Sequence, residues 1–367
     1  MSTRSVVVLP GDGVGPEVTA QAKAVLEAAC HQVSAEVRFE EHLIGGVAID
    51  GEGTPLSDAT LNACQAADAV LLGAVGGPKW DHLSGDKRCE AGLLRLRSGL
   101  GVFANVRPVR VHPSLVDRSA LRAEVVTGVD LVIVRELTGG VYFGTPKGRS
   151  GSGPDETAVD TLIYTRAEIE RVVRLAAGLA QQRSKRLISV DKANVLASSR
   201  LWRDVVDELR GDYPDVEFEH RLVDSFAMTL VDNPRSVDVV VTENMFGDIL
   251  SDEAAVVTGS LGLLPSASLS AGGPGLYEPI HGSAPSIAGQ NVANPVGAIL
   301  SAAMALRHSL ELPAAAAAVE AAVDSVIVSG ILTADLGGNA STTDVGNAVT
   351  AAMHRNANST VLEVTAP

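Results

Sequence analysis

The sequence predicts an α/β protein of two domains on a large, parallel or mixed sheet. Three observations predict it. Short, apolar, β-branched runs alternate with helical stretches from the first residues onward, the pattern of strands covered on both faces. At 367 residues the chain exceeds one ordinary core and fits two domains. Its composition is globular, 46% hydrophobic and 20% charged, and no apolar run is long enough to cross a bilayer.

Val6–Leu9 reads as the first strand, followed by a Gly-rich turn and a helix from about Pro16 to Cys30. Proline suits a helix start, where its missing N–H costs nothing. Ala69–Leu72 is a second buried strand, ended by Gly73 and a Gly76-Gly77-Pro78 turn. Glu124–Thr127 is ambiguous between strand and helix end. Leu131–Val134, Arg186–Asp191 and Val237–Val241 are further strands. Residues 139–161 carry Gly, Pro, Thr and charge without helical period; a projecting hairpin or a disordered loop both fit. Pro313–Val328 is an Ala-rich helix, then come a Gly/Asn/Thr loop at 337–343 and a second such helix.

A formal net charge of −15 argues against nucleic acid, which needs a basic face. The amino-terminal residues lack the apolar stretch of a secretory signal, so a cytoplasmic protein is expected. Cys30, Cys64 and Cys89 are an odd set without metal-type spacing and read as idle thiols in a reducing compartment.

The most informative segment runs Thr242-Glu243-Asn244-Met245-Phe246-Gly247-Asp248-Ile249-Leu250-Ser251-Asp252-Glu253-Ala254. On a helix, Asp248 and Asp252 share one face, where hard oxygens suit Mg²⁺ or Mn²⁺. In isolation such a pair is more often a solvated face. Glu90, Leu93, Leu94 and Arg97 fall at i, i+3, i+4 and i+7. That stripe is either core-facing or an apolar wall with a cationic end. Arg107, held extended by Pro108, and Arg135, at a strand end, supply two further planar forks for carboxylates. Three arginines beside Gly-rich turns point to a dicarboxylate. Lys192 closes a strand, where it is solvated or poised for proton transfer. Asp224 precedes an apolar helix, where an N-cap role is equally open. The loop 11–17 lacks the G-x-G-x-x-G fingerprint, so a standard dinucleotide fold is not expected, and neither Gly-rich loop ends as a P-loop. His281 lies in a second Gly/Pro-rich loop, 278–289.

Taken together, NMFGDILSDEA, RELTGGVYFG, DKANVL, LLRLR with NVRP, and HGSAP resemble the β-decarboxylating dehydrogenases of the isocitrate/isopropylmalate type, collinearly from Gly11 to about Gly346. The resemblance implies two α/β domains sharing a large mixed sheet: residues 1–106 with 260–367 on the cofactor side, and 107–259 for dimerisation and metal. Arg97, Arg107 and Arg135 match the arginines that hold malate carboxylates, Asp224, Asp248 and Asp252 the ligands of Mg²⁺ or Mn²⁺, and Lys192 with Tyr142 the proton-transfer pair. Lys192 and Asp224 are then expected to serve the partner's site in a homodimer, with 139–161 as an intersubunit arm. Glu90, Leu93, Leu94 and Val195 match positions around the substrate's alkyl group, and the apolar stripe there favours a 3-alkylmalate. Val14, His281, Gly282, Ser283, Ala284, Ser286, Ile287 and Asn294 match positions along NAD. Ser286 departs from the usual Asp there, which implies NAD bound more weakly, by roughly 1.5–3 kcal/mol for a lost charge-assisted bond. Cys89 stands for a usual proline, and Ser225 and Phe226 flank Asp224 where small or amide residues are common. The implied reaction is oxidative decarboxylation of (2R,3S)-3-isopropylmalate to 4-methyl-2-oxopentanoate, in leucine synthesis. The same chemistry on another 3-substituted malate, or a catalytically silent subunit, are the alternatives.

Overall fold

The computed structural model describes residues 3–364. Its strands are β1 (Arg4–Gly11), β2 (Val37–Glu41), β3 (Ala69–Ala74), β4 (Ala104–Arg110), β5 (Asp130–Glu136), β6 (Gly148–Ser150), β7 (Thr157–Val159), β8 (Arg186–Asp191), β9 (Glu217–Leu222), β10 (Val239–Thr242), β11 (Pro265–Leu269) and β12 (Gly275–Pro279). The chain divides into two compact units, one from residues up to Val102 and from Gly259 on, the other spanning Phe103–Thr258. The sequence reading placed these divisions at 106/107 and 259/260.

In the first unit the strand order is β2-β1-β3-β12-β11. β1 pairs in parallel with β2 and β3, β3 in parallel with β12, and β11 runs antiparallel to β12. All six residues of β3 are buried, as expected of a parallel strand covered on both faces. The helix Gly15–Gln32 begins with Pro16 in its first turn and buries Val18, Ala22, Val25, Leu26 and Ala29. It packs with the helices Val296–His308 and Pro313–Val328. Alanine dominates these helices because close helix–helix approach leaves little room for larger side chains.

The second unit has the order β4-β5-β10-β8-β9. β4 and β5 are antiparallel; β5, β10, β8 and β9 are mutually parallel. The helix Arg166–Gln181 opens with a capping box, Thr165 with Glu168, which satisfies two otherwise orphaned donors. β6 and β7 form an exposed antiparallel hairpin, so the segment 139–161 is a hairpin rather than structureless.

One ambiguity is resolved and one boundary corrected. Residues 124–127 lie in the short helix Ala123–Val126 and its cap, with the Thr127 hydroxyl bonded back to the Ala123 carbonyl at 2.7 Å. β10 begins at Val239 rather than Val237, because the Val237 N–H closes the turn Pro234–Ser236 onto Pro234 O. The three cysteines are buried and unpaired; burial pushes the Cys64 thiol up to about 12. No helix among the described residues is long and apolar enough to cross a membrane.

Candidate active site

A charged cluster lies where the parallel strands of the second unit end, the usual place for ligands in open α/β sheets. Arg135, the last residue but one of β5, lies directly beside Thr242, the last residue of β10. The chain then turns into the helix Asn244–Thr258. Glu243 starts that helix, its carboxylate accepting the Met245 and Phe246 N–H groups at 3.1 and 2.9 Å. Gly247 lets the helix cross Arg135: a Cβ there would lie 2.7 Å from the arginine's own Cβ and Cγ.

This crossing sets Asp248 over the guanidinium of Arg135, which donates to it through Nη1. The Tyr142 hydroxyl donates to the other Asp248 oxygen at 3.0 Å. Arg107, on β4, donates from Nε to Asn105 at 2.6 Å and from Nη1 to Ser251 at 2.5 Å. It also approaches Asp252 at 3.5 Å and Asp248 at 3.8 Å. Both arginines are buried, at 3% and 7% exposure, so their charges need compensation close by. Asp248 is therefore tied into a charged site, while Asp252, further along the same face, stays exposed.

Burial, with the neighbouring Asp248 carboxylate, keeps the Tyr142 phenol above its ordinary range. Partial desolvation raises Asp252, although its side chain is largely exposed; Arg107 opposes that shift and Asp248 reinforces it. The hard carboxylate oxygens of Asp248 and Asp252, on one helix face, fit Mg²⁺ or Mn²⁺.

Lys192 and Asp224 lie elsewhere in the same unit. They follow the ends of β8 and β9 and pair with each other, Nζ to Oδ1 at 2.7 Å. That bond holds the Asp224 carboxyl below its usual range. Asp224 sits in the first turn of the helix Val223–Asp232, whose cap is Leu222, so the N-cap alternative fails. Strand β9 is two strands from β10, about 10 Å at normal sheet spacing. Accordingly, no group of three His, Cys, Asp or Glu side chains able to hold a metal occurs among the described residues. Val195 is exposed.

In the first unit the helix Cys89–Leu100 buries Cys89, Gly92, Leu96 and Leu100. The stripe of Glu90, Leu93, Leu94 and Arg97 therefore does not face the core: Leu93 and Leu94 are half-buried and Glu90 is exposed. Arg97 donates to Glu278 at 2.8 Å, while its buried Nε has no partner.

The cofactor-like loops meet nearby. Val14 N–H donates to the Ser283 carbonyl at 2.8 Å. Gly13 has φ +62°, and a Cβ there would stand 1.9 Å from that carbonyl, so only glycine fits. Ala284 takes φ +41°, a strained conformation of the sort kept at ligand sites. His281 shares a 2.9 Å bond through Nδ1 with the Gly282 carbonyl, leaving a buried Nε2 unpartnered; burial lowers its pKa. Asn294 donates to Asp335 at 3.0 Å and caps Val296. Gly282 and Ser286 are exposed, and Ile287 is half-buried. An orphaned imidazole nitrogen beside exposed backbone fits a nucleotide.

Several contributors escaped the sequence reading. Asp12 is buried and accepts three N–H bonds, from Gly46, Val47 and Gly76, at 2.7–2.9 Å. Glu17 accepts from Gly289 and Asn291, fixing the second loop to the first helix. Asn105, Asn244, Ser251 and Glu278 hold the arginines. Asn105, Asn244 and Ser251 lay inside the quoted motifs, where a neutral polar residue beside a charged one was the available signal.

A family profile described as isocitrate/isopropylmalate dehydrogenase matches residues 5–349. A 3-isopropylmalate dehydrogenase of Anaeromyxobacter dehalogenans is 61% identical over 92% of this chain and 96% of its own length. One of Priestia megaterium is 60% identical over 91% of this chain and 90% of its own. Among solved structures, isocitrate dehydrogenase from Methylococcus capsulatus superimposes with a TM-score of 0.86 at 34% identity, covering 96% of this chain and 99% of that one. A β-decarboxylating dehydrogenase from Thermococcus kodakarensis gives 0.78 at 38%, with 96% and 97% coverage. With five collinear motifs, matching strand architecture and these likenesses over nearly its full length, the chain belongs to the isocitrate/isopropylmalate dehydrogenase family.

Proposed function

We propose that the protein oxidatively decarboxylates (2R,3S)-3-isopropylmalate to 4-methyl-2-oxopentanoate and CO₂, using NAD and Mg²⁺ or Mn²⁺, in leucine synthesis. The carrying observation is the pair of buried guanidiniums, Arg107 and Arg135, converging on Asp248 with the Tyr142 hydroxyl at 3.0 Å. Their two positive charges balance Asp248 and Asp252. A divalent cation held there leaves an excess of two positive charges, which matches a dicarboxylate.

Asp248 and Asp252 would hold the cation, joined by Asp224 of a partner subunit, and the loops around Val14 and 281–294 would hold NAD. When bound, the ion supplies a Lewis acid and NAD a hydride acceptor. Arg97, Arg107 and Arg135 clasp the two carboxylates and fix the substrate's orientation. Lys192, also from the partner, takes the proton of the C2 hydroxyl. Once C2 is a ketone, the electron pair of the C3–carboxylate bond can move onto it as CO₂ leaves. Tyr142 then donates a proton to C3. Its phenol, raised further by burial and Asp248, is protonated at neutral pH, the state a donor requires. Half-buried Leu93 and Leu94 offer an apolar wall to the alkyl group.

Ser286 provides no carboxylate for ribose hydroxyls and no base for a phosphate, which supports NAD at reduced affinity over NADP. The domain carrying both chain ends takes the cofactor, and residues 107–259 carry the metal and dimer contacts, with the hairpin as the arm. Steady-state assays of 3-isopropylmalate, isocitrate and bulkier malates with Mg²⁺ and either nucleotide test the proposal. Absence of Mg²⁺-dependent NADH formation from 3-isopropylmalate removes it. A bulkier malate turned over with higher kcat/KM replaces the substrate and keeps the chemistry.

A further inference from the structure

Beneath the Arg135–Tyr142 cluster lies a buried amide with two unlike partners. Asn244 is 0% exposed. Its Oδ1 accepts from Nε and Nη2 of Arg135 at 3.0 and 2.8 Å. Its Nδ2 donates to the Gly139 carbonyl at 3.0 Å. The orientation is chemically forced, since a guanidinium only donates and a carbonyl only accepts.

Gly139 opens the short turn that carries Tyr142. That turn rests on Tyr164: a Cβ at Gly140 would lie 2.6 Å from the Tyr164 oxygen, and one at Gly139 2.5 Å from its ring. The Tyr164 hydroxyl accepts the Asn244 backbone N–H at 2.9 Å and donates to Glu243 at 3.3 Å. Glu136 adds a second tie, accepting the Gly139 N–H at 2.8 Å.

The geometry points to Asn244, braced by Tyr164, as the positioning residue that registers the substrate-binding arginine with the proton-donating tyrosine. One end of the amide fixes where the carboxylate sits; the other fixes where the Tyr142 hydroxyl meets C3. The assignment rests on the function proposed above. The two ends have separable consequences: losing the hold on Arg135 raises KM, and losing the hold on Gly139 lowers kcat.

Asn244→Asp keeps an acceptor for Arg135 but loses the donor to Gly139. It is expected to hold KM for 3-isopropylmalate within about twofold while kcat falls about 10²-fold, the usual cost of misplacing a reacting group by about 1 Å. Deuterium incorporation at C3 of 4-methyl-2-oxopentanoate in D₂O should slow by more than hydride transfer does. Asn244→Ala should raise KM as well. Tyr164→Phe, a milder change, should lower kcat without moving KM, and amide hydrogen exchange of residues 139–144 should quicken in all three variants. Wild-type kcat in Tyr164→Phe and Asn244→Asp overturns the inference, as does an equal loss in the hydride and C3 steps. A wild-type enzyme inactive on 3-isopropylmalate defeats the functional reading instead, and the exchange of 139–144 still decides whether Asn244 holds the turn.

Discussion

Tyr142 shows how much a single side chain's setting determines. Its hydroxyl donates to Asp248, the side chain is half-buried, and the phenol sits above its ordinary range; it stays protonated at neutral pH. Tyr142→Phe is expected to permit oxidation but slow turnover by about 10²–10⁴-fold, the usual contribution of a general acid, with a burst of NADH followed by a slow phase. Asp252 titrates in the opposite sense from a paired surface carboxyl. Its folded pKa is raised, so between the unfolded and folded values the native chain binds more protons than the unfolded one. Native stability contributed by this group therefore falls as pH rises through that window. Cation binding needs the ionised form, so the Mg²⁺-induced rise in Tm should grow as pH climbs through the same window and shrink below it. Melting curves with and without Mg²⁺, taken from the ordinary carboxyl range upward in pH, check this, and Asp252→Asn should flatten the dependence. At this scale the sequence disclosed charged residues far better than their neutral supports. Arg107 and Asp248 were legible because charge is rare in apolar strands and helices. Asn244 and Ser251 were not, since an amide or hydroxyl reveals its partners only when strands bring them together.

The helix Cys89–Leu100 carries the corresponding lesson for an element. Periodicity found its stripe at Glu90, Leu93, Leu94 and Arg97, but a stripe alone does not say which way it faces. The core takes Cys89, Gly92, Leu96 and Leu100 instead, because Gly92 packs against Pro55, where a Cβ would meet the carbonyl oxygen at 2.7 Å. Leu94→Ser is therefore expected to leave Tm nearly unchanged while lowering kcat/KM for 3-isopropylmalate by about 1–3 kcal/mol of transition-state binding. A parallel loss on malate, which lacks the alkyl group, would move Leu94 out of that wall. Boundaries were legible wherever the signal was local. Arg186–Asp191 and Pro313–Val328 have the predicted ends, because a short apolar run and a Pro-started Ala-rich segment need no distant partner. Residues 124–127 were not, since four residues fit a strand or a single helical turn equally.

For the molecule as a whole, the separation of Asp224 and Lys192 from Asp248 and Tyr142 is the informative feature. Lys192 follows β8, next to β10, and Asp224 follows β9, one strand further out, and motif spacing along the chain carries no hint of it. If the sites are shared across a dimer, Tyr142→Phe and Lys192→Met, each nearly inactive alone, should restore activity when unfolded and refolded together. Each hybrid then contains one site with both groups intact. Failure of complementation at matched dimer content would place Lys192 in its own subunit's site.

The first unit's sheet carries a different consequence, for synthesis on the ribosome. β3 is flanked by β1 on one side and by β12 on the other, and β12 is made only after the whole of Phe103–Thr258. A growing chain thus exposes the unsealed apolar edge of β3 while the middle of the protein can already fold. Late closure by β12 makes the amino-terminal third the last part to become safe from aggregation, and any translation stall beyond residue 102 prolongs that exposure.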